Sequence, residues 1–311
     1  MAPYYNDILD GWREGYVQNT DTNRLDELYR TYRAYLFRIA YRMLGSISDT
    51  EDLVHDVFIA MQSVDIESIE NMKAYLSRLV INRSLNLLKS AHKQREMYVG
   101  PWLPETLVMT ERSPLAELEL DESLSYAYMV MLEQLKPVER VVFILREALD
   151  YEYAEIAHLL GITEAYSRKV LSRARKKVRM NEGQQPPSFF SHEQERVQRF
   201  LEHFTKGNIE QLTDLLSEDV VIQTDGGGKV RAAINPIFGR TRVLIFLSAL
   251  HSRGWKEASA RVVTVNGEPG ILFVDEHGVK AVVCFQWANN TDLITNIFAV
   301  LNPDKLTSIV L

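Results

Sequence analysis

The chain comprises 311 residues, 46% of them hydrophobic, with a formal net charge of −7. No apolar run approaches the ~18 residues of a membrane span, and Met1 to Asp10 lacks a cationic stretch followed by an apolar one, so a cytoplasmic chain of two or three domains is expected, without membrane partner or export. The single cysteine, Cys284, leaves no route to an internal disulfide or a cysteine-clustered zinc site, and its apolar strand pattern marks a core position.

Leu25 to Leu44 carries Leu28, Tyr32, Tyr35, Leu36, Ile39 and Met43 at helical intervals and stops at Gly45, which predicts a core-facing helix. Ser48 opens an acidic helix whose Leu53, Val54, Val57, Phe58 and Met61 supply the buried stripe. Between Asp49 and Glu70 stand seven acids and no lysine or arginine. DNA avoids such a surface, whereas solvent or a basic protein partner suits it. After a loop near Ser63 to Glu70, Asn71 to Lys93 reads as a third helix, with Leu76, Leu79, Val80, Leu87 and Leu88 inward and Lys73, Arg78, Arg83, Lys89 and Lys93 outward.

From Tyr98 to Pro114 the helical period is lost and prolines recur, so this stretch is an extended connector. Trp102 and Leu103 would be costly on an open loop, which predicts that the connector is docked. Helix resumes at Leu115. Pro137 then starts a supporting helix with Val138, Val141, Val142 and Leu145 inward. Tyr153 to Leu160 repeats the pattern through Ile156, Ala157 and Leu160, Gly161 provides a left-handed stop, and Ile162 plugs the turn. Thr163 and Glu164 open a last helix, on which Ser167, Val170, Leu171, Ala174 and Val178 share one arc. Arg168, Lys169, Ser172, Arg173 and Lys176 point elsewhere. Seven basic residues and no acid lie between Arg168 and Arg179. An ordinary solvated helix mixes signs. A helix-turn-helix with a cationic outer face is instead suited to phosphate contact and to guanine recognition by arginine.

Gly183 to Ser188, with Pro186 and Pro187, is the clearest domain boundary. Beyond it, helices are expected near His192 to Thr205 and Ile209 to Ser217, then a strand at Val220 to Thr224 and a short one near Lys229 to Ala232. A helix follows at Thr241 to His251, and strands follow near Ala258 to Val265, Ile271 to Val274, Val279 to Ala288 and Leu293 to Val300. Asn266-Gly267 and His277-Gly278 supply turns. Helices first and a meander afterwards predict an α+β domain.

Two separated blocks resemble the extracytoplasmic-function members of the bacterial sigma-70 family. Asp49-Thr50-Glu51-Asp52-Leu53-Val54-His55-Asp56-Val57-Phe58 resembles the family's core-polymerase-binding segment, and Ala74-Tyr75-Leu76 through Asn82-Arg83 resembles its promoter-melting helix. Leu135 to Val178 resembles the domain that reads the minus-thirty-five element. The resemblance implies RNA polymerase core as partner of Asp49, Glu51, Asp52 and Asp56. It also implies promoter DNA as partner of Asn71, Lys73, Arg78 and Arg83 at the minus-ten element and of the helix-turn-helix cations upstream. Three further motifs are similar to a subgroup with a fused SnoaL-like domain of nuclear-transport-factor-like cone fold. They are Tyr98-Val99-Gly100-Pro101-Trp102-Leu103-Pro104-Glu105, Asp225-Gly226-Gly227-Gly228-Lys229 and Asn302-Pro303-Asp304-Lys305-Leu306. Thr106 departs from the subgroup's common proline. The subgroup's extension is held to regulate the sigma domains in cis.

The expected architecture is therefore two all-α sigma domains, a helical bundle at 21–96 and a helix-turn-helix unit at 115–182, joined by a connector at 97–114. An α+β cone domain at 189–311 completes it. Asp225 to Lys229 is a turn rather than a phosphate loop, because Val230 stands where that signature needs Ser or Thr. The seven histidines lack metalloprotease spacing, so no metal, cofactor or catalytic group is expected. Asp225, His251 and Asp292 are conceivable pocket groups for a small-molecule ligand, with nothing in the sequence fixing a reactive pair. The competing function is a ligand-sensing one-component DNA-binding regulator that works without joining polymerase.

Overall fold

The computed structural model describes residues 19–95, 97–109, 125–179, 191–288, 291 and 293–310. Helices α1 (Asn19–Leu44), α2 (Ile47–Met61) and α3 (Met72–Arg95) form the first unit. Ser46, rather than Ser48, caps α2, its Oγ accepting from the Asp49 amide at 3.3 Å. Asn71 caps α3 through the Ala74 amide at 3.0 Å. On α3 the inward residue is Ile81, at 0% exposure, while Leu87 faces outward at 43%.

The connector runs without regular structure to a two-residue strand, β1 (Val108–Met109). The expected helix from Leu115 and the boundary at Gly183 to Ser188 lie outside the described residues. Next come α4 (Tyr126–Leu132), α5 (Pro137–Phe143), which continues as a wider π turn at Ile144–Ala148, α6 (Tyr153–Leu160) and α7 (Glu164–Arg179). Pro137 occupies the first turn of α5. Gly161 ends α6 at φ 63°, a conformation that suits a residue without Cβ. The buried residue near the end of α6 is Leu159; Leu160 is only partly covered.

The helices of the two units share one continuous core that reaches from Leu36 and Phe37 through Val80 to Val141, Val142, Ile156 and Val170. Polar contacts stitch the same seam. The Tyr35 and Tyr151 hydroxyls meet at 2.9 Å, and buried Arg140 donates to the Met43 carbonyl at 2.7 Å and pairs with Glu133 at 2.6 Å. A guanidinium at 3% side-chain exposure needs these partners, because an unpaired buried charge costs several kcal/mol.

The C-terminal unit contains α8 (Ser191–Lys206), β2 (Leu216–Asp225), β3 (Ile237–Phe238), α9 (Arg240–Ser252), β4 (Ser259–Val265), β5 (Glu268–Asp275), β6 (Gly278–Trp287) and β7 (Ile294–Val300). The seven strands form one mixed sheet in the order β1-β4-β5-β6-β7-β2-β3, with β2 and β7 parallel and every other pair antiparallel. The helix expected at Ile209 to Ser217 is instead a short turn of 3-10 helix, Gln211–Leu215, leading directly into β2. Arg240 there donates to the carbonyls of Thr213 and Leu216, because carbonyls at the end of so short a helical turn find no partner within it. The strand expected at Lys229 to Ala232 is a turn and coil. Gly227 and Gly228 take positive φ, and the true antiparallel partner of β2 is β3.

Both faces of the sheet are apolar. Ile271, Phe273, Val283, Phe285 and Ile297 pack against α8 and α9. Alternate residues Leu272, Val282, Cys284, Phe298 and Val300 turn the other way, onto Leu103, Val108, Tyr126 and Leu306. The connector thus adds both a strand to the sheet edge and side chains to one of its faces.

Candidate interdomain clasp and nucleic-acid interface

Asp225 ends β2 fully buried, and its carboxylate turns away from the interior of its own domain toward the connector. It accepts the Tyr98 hydroxyl at 2.6 Å, the Leu103 amide at 2.9 Å and the Gly227 amide at 3.0 Å, and pairs with the Lys305 ammonium at 2.7 Å. Lys305 also donates to the Leu103 carbonyl and lies 3.9 Å from the Trp102 ring centroid. Asn302 reaches the Tyr98 hydroxyl at 2.8 Å through its amide nitrogen. A carboxylate with this many donors tolerates burial because each lone pair is answered. The phenol of Tyr98 is held above its ordinary pKa, first by burial and then by its bond to Asp225.

The glycines are shaped by proximity. A Cβ at Gly227 would collide with the Asn302 side chain, and one at Gly228 would meet Val99 at 3.2 Å. Gly226 is crowded by the Val230 carbonyl. Lys229 instead pairs with Asp304 at the surface, at 2.5 Å. Pro303 occupies the first position of the terminal 3-10 turn, and Leu306 is buried against the sheet.

The connector's other end grips the first helical unit. Glu105 is buried, with its carboxylate at the start of α2, where it accepts the Ile47 amide at 2.8 Å and the Ser46 hydroxyl at 2.9 Å. Burial raises its pKa and these two bonds oppose the rise. Its amide donates to the Gly45 carbonyl at 2.8 Å, and Tyr41 donates to its carbonyl at 2.6 Å. Gly45, at φ +67°, lies 3.0 Å from the Trp102 ring by its notional Cβ, and Pro104 accepts the Tyr126 hydroxyl at 2.7 Å.

Sequence reasoning missed a second clasp residue, Asn266. Its backbone stands at φ 52°, as an Asn-Gly turn requires. Its side chain meanwhile accepts the Leu107 amide at 3.0 Å and donates to the Tyr41 hydroxyl at 3.0 Å. The turn explained the residue completely at sequence level, so no signal of the second task remained.

The pocket groups suggested by sequence do not gather. Asp225 faces the connector, His251 packs on Gly207 and Phe204, and Asp292 lies outside the described residues. Among the described residues no three His, Cys, Asp or Glu side chains cluster as metal ligands, and no helix is long and apolar enough to cross a membrane.

Asp49, Glu51, Asp52 and Asp56 all lie exposed along α2, Asp56 within 3.9 Å of Arg83 on α3. Lys73 and Arg78 are exposed on α3, with the Lys73 ammonium 4.5 Å from the Tyr35 ring. On α7, Ser167, Val170, Leu171, Ala174 and Val178 are buried, while Arg168, Lys169, Ser172, Arg173 and Lys176 are exposed. The cations divide. Arg168 pairs with Glu164 beneath the Tyr153 ring, Arg175 with Glu147 at 2.6 Å and Lys177 with Glu139 at 2.5 Å. Lys169, Arg173 and Lys176 pair with no acid among the described residues and present the open positive face.

A helix-turn-helix with that open positive face beside an exposed acidic helix suits a DNA-binding protein with a second, basic partner. The model of sigma-70 region 2 matches residues 28–94, and that of sigma-70 region 4 matches 125–178. The ECF RNA polymerase sigma factor SigJ of Mycobacterium tuberculosis (strain H37Rv) is 31% identical over 293 residues, covering 90% of this chain and 92% of that protein. The probable ECF RNA polymerase sigma factor SigI of M. tuberculosis is 27% identical over 89% of this chain and 93% of its own length. The crystal structure of M. tuberculosis SigJ superposes with a TM-score of 0.75 at 29% identity, covering 91% of this chain and 98% of that one. The chain belongs to the extracytoplasmic-function RNA polymerase sigma factors, a non-enzymatic family that works with RNA polymerase core and promoter DNA.

Proposed function

We propose that the C-terminal domain controls this sigma factor in cis, by clasping the connector and so holding the two DNA-reading units against each other. The observation that carries the reading is the Asp225 carboxylate, which binds Tyr98 and Leu103 of the connector and Lys305 of the C-terminal tail at once. Promoter elements named minus ten and minus thirty-five lie about 25 base pairs apart, or about 85 Å at 3.4 Å per pair. In the clasped state the Tyr35 and Tyr151 hydroxyls of the two units touch. Tyr151 also bonds Ser77 on α3 at 3.3 Å, one turn from Lys73, so the helix-turn-helix unit leans on the minus-ten helix. The clasped state therefore cannot span a promoter.

The division of labour follows. Asp49, Glu51, Asp52 and Asp56 dock on a basic surface of polymerase core. Asn71, Lys73, Arg78 and Arg83 hold the opened minus-ten strand, and Arg168, Lys169, Ser172, Arg173 and Lys176 contact the minus-thirty-five duplex. Trp102 to Glu105, Asp225 to Lys229 and Asn302 to Leu306 regulate. The working segments are 21–96, 97–114, 115–182 and 189–311, and the protein acts in the cytoplasm, with a small molecule as a further partner of the C-terminal domain. The test is in vitro transcription with the full chain and with a chain ending at Leu301, which lacks Asn302 and Lys305. The shortened chain gives more transcript per polymerase; equal output from both overturns the reading.

A further inference from the structure

We propose that the C-terminal domain binds a small hydrophobic carboxylate, about one aromatic ring in size, in a cavity between its helices and sheet. The walls include the rings of Phe200, Phe204, Phe246, Trp255 and Phe273. The cavity measures about 50 Å³; one water needs about 10–15 Å³, so the space matches roughly four waters or one small ring. An apolar cavity of this kind accepts apolar guests. Among the described residues the one lining hydroxyl, Thr224, is already committed, accepting from the Ala233 amide at 2.8 Å and donating to the Ala233 carbonyl at 3.2 Å.

Among the described residues the only charged one in the lining is Arg231. It is exposed and pairs with no acid among the described residues. Aromatic walls ending in one unpaired guanidinium select a molecule with an apolar body and an anionic end. A carboxylate matches the guanidinium in two parallel hydrogen bonds, and an ammonium is repelled. This recognition belongs to a face of the domain opposite the Asp225 carboxylate and uses none of the clasp's side chains.

The cavity nevertheless abuts the clasp, and this second part rests on the regulatory reading above. Thr224 and Leu301 line it, and the next residues are Asp225 and Asn302. The amides of Leu301 and Asn302 both donate to the Asp225 carbonyl at 2.8 Å. A molecule that fits the cavity as it stands in the clasped form shifts the population toward that form.

The test uses the full chain, benzoate as probe, and benzamide and benzylamine as its neutral and cationic counterparts. Calorimetry shows saturable benzoate binding, weaker benzamide binding and none of benzylamine. Arg231→Gln, a change on the exposed rim, weakens benzoate about fivefold, the worth of a solvent-exposed ion pair, and leaves benzamide unchanged. Ala299→Leu, which fills the cavity from β7, removes both. No saturable benzoate binding on the order of 10 mM, or equal benzoate affinity in Arg231→Gln, overturns the site. Bound benzoate also slows hydrogen exchange at the Leu103 amide. Unchanged exchange at saturation overturns the coupling alone, and the transcription test above judges the clasp independently of either result.

Discussion

Replacing Lys305 by Met removes the ammonium from a buried pair in which Lys305 is 7% and Asp225 0% exposed. Methionine keeps most of the stem's volume, so the change is chiefly electrostatic. Breaking a buried pair on one side costs about 3–5 kcal/mol. Asp225 keeps three donors, from Tyr98, Leu103 and Gly227, which places the loss near the lower end. About 3 kcal/mol is a shift of roughly a hundredfold from clasped to open chain. The reporter is amide hydrogen exchange at Leu103, whose N–H bonds Asp225, read against Val283 in the sheet core, which reports global unfolding. Leu103 protection falls by about that factor while Val283 changes less, and promoter output rises. Adding Asp225→Asn removes the stranded charge, so the double variant recovers part of the loss and the two substitutions are non-additive. Unchanged Leu103 protection in Lys305→Met would refute the claim that this ion pair holds the connector.

Reversing Glu51, Asp52 and Asp56 to lysine abolishes co-purification with polymerase core while leaving the helical content of the chain intact, since all three side chains are exposed; retained holoenzyme assembly would remove α2 from the docking role. On α7, Lys176→Ala weakens binding to minus-thirty-five duplexes uniformly and lowers the salt slope by about 1, whereas Arg173→Ala changes base preference; a selection of binding sites from random duplexes tells the two apart. Stability also responds to pH. Burial, and then the charge of Glu193, pushes the Glu268 carboxyl up to about 8, and burial pushes Glu193 up to about 7, against an ordinary value of 4.5. The folded chain therefore binds more protons than the unfolded one across that interval, so this contribution is full below about 4.5 and is lost as pH rises through 7 and 8. Glu268→Gln flattens the fall, raising Tm at pH 8 relative to the parent; an unchanged slope of Tm against pH would contradict the assignment.

Much of the helix-turn-helix was legible because its signals are local. Gly161 needs a left-handed turn, Thr163 caps α7 through the Tyr166 amide, and Ser167, Val170, Leu171, Ala174 and Val178 fall on one arc whatever surrounds them. The division of the basic residues on α7 was not legible. The acids that neutralise Arg175 and Lys177, Glu147 and Glu139, lie 28 and 38 residues earlier and meet them only through the packing of α5 on α7. Strand assignment failed where glycines and a short apolar run imitated a hairpin at Lys229 to Ala232. The real pairing of β2 with β3 depended on how far the intervening loop was drawn out, which no local pattern encodes.

The alternation of apolar residues established that the C-terminal strands existed; it did not reveal that one sheet face would be covered by another part of the chain. The segregation of charge along the sequence, and the periodicity of each helix, were fixed by covalent order alone, because they depend on residues a few positions apart. Only the folded chain decided that Asp225 meets Lys305 from 80 residues away, or that Asn266 meets Tyr41 across 225. Such contacts arise from the burial of a common apolar surface, which selects partners by shape in three dimensions and leaves no periodic trace in the sequence.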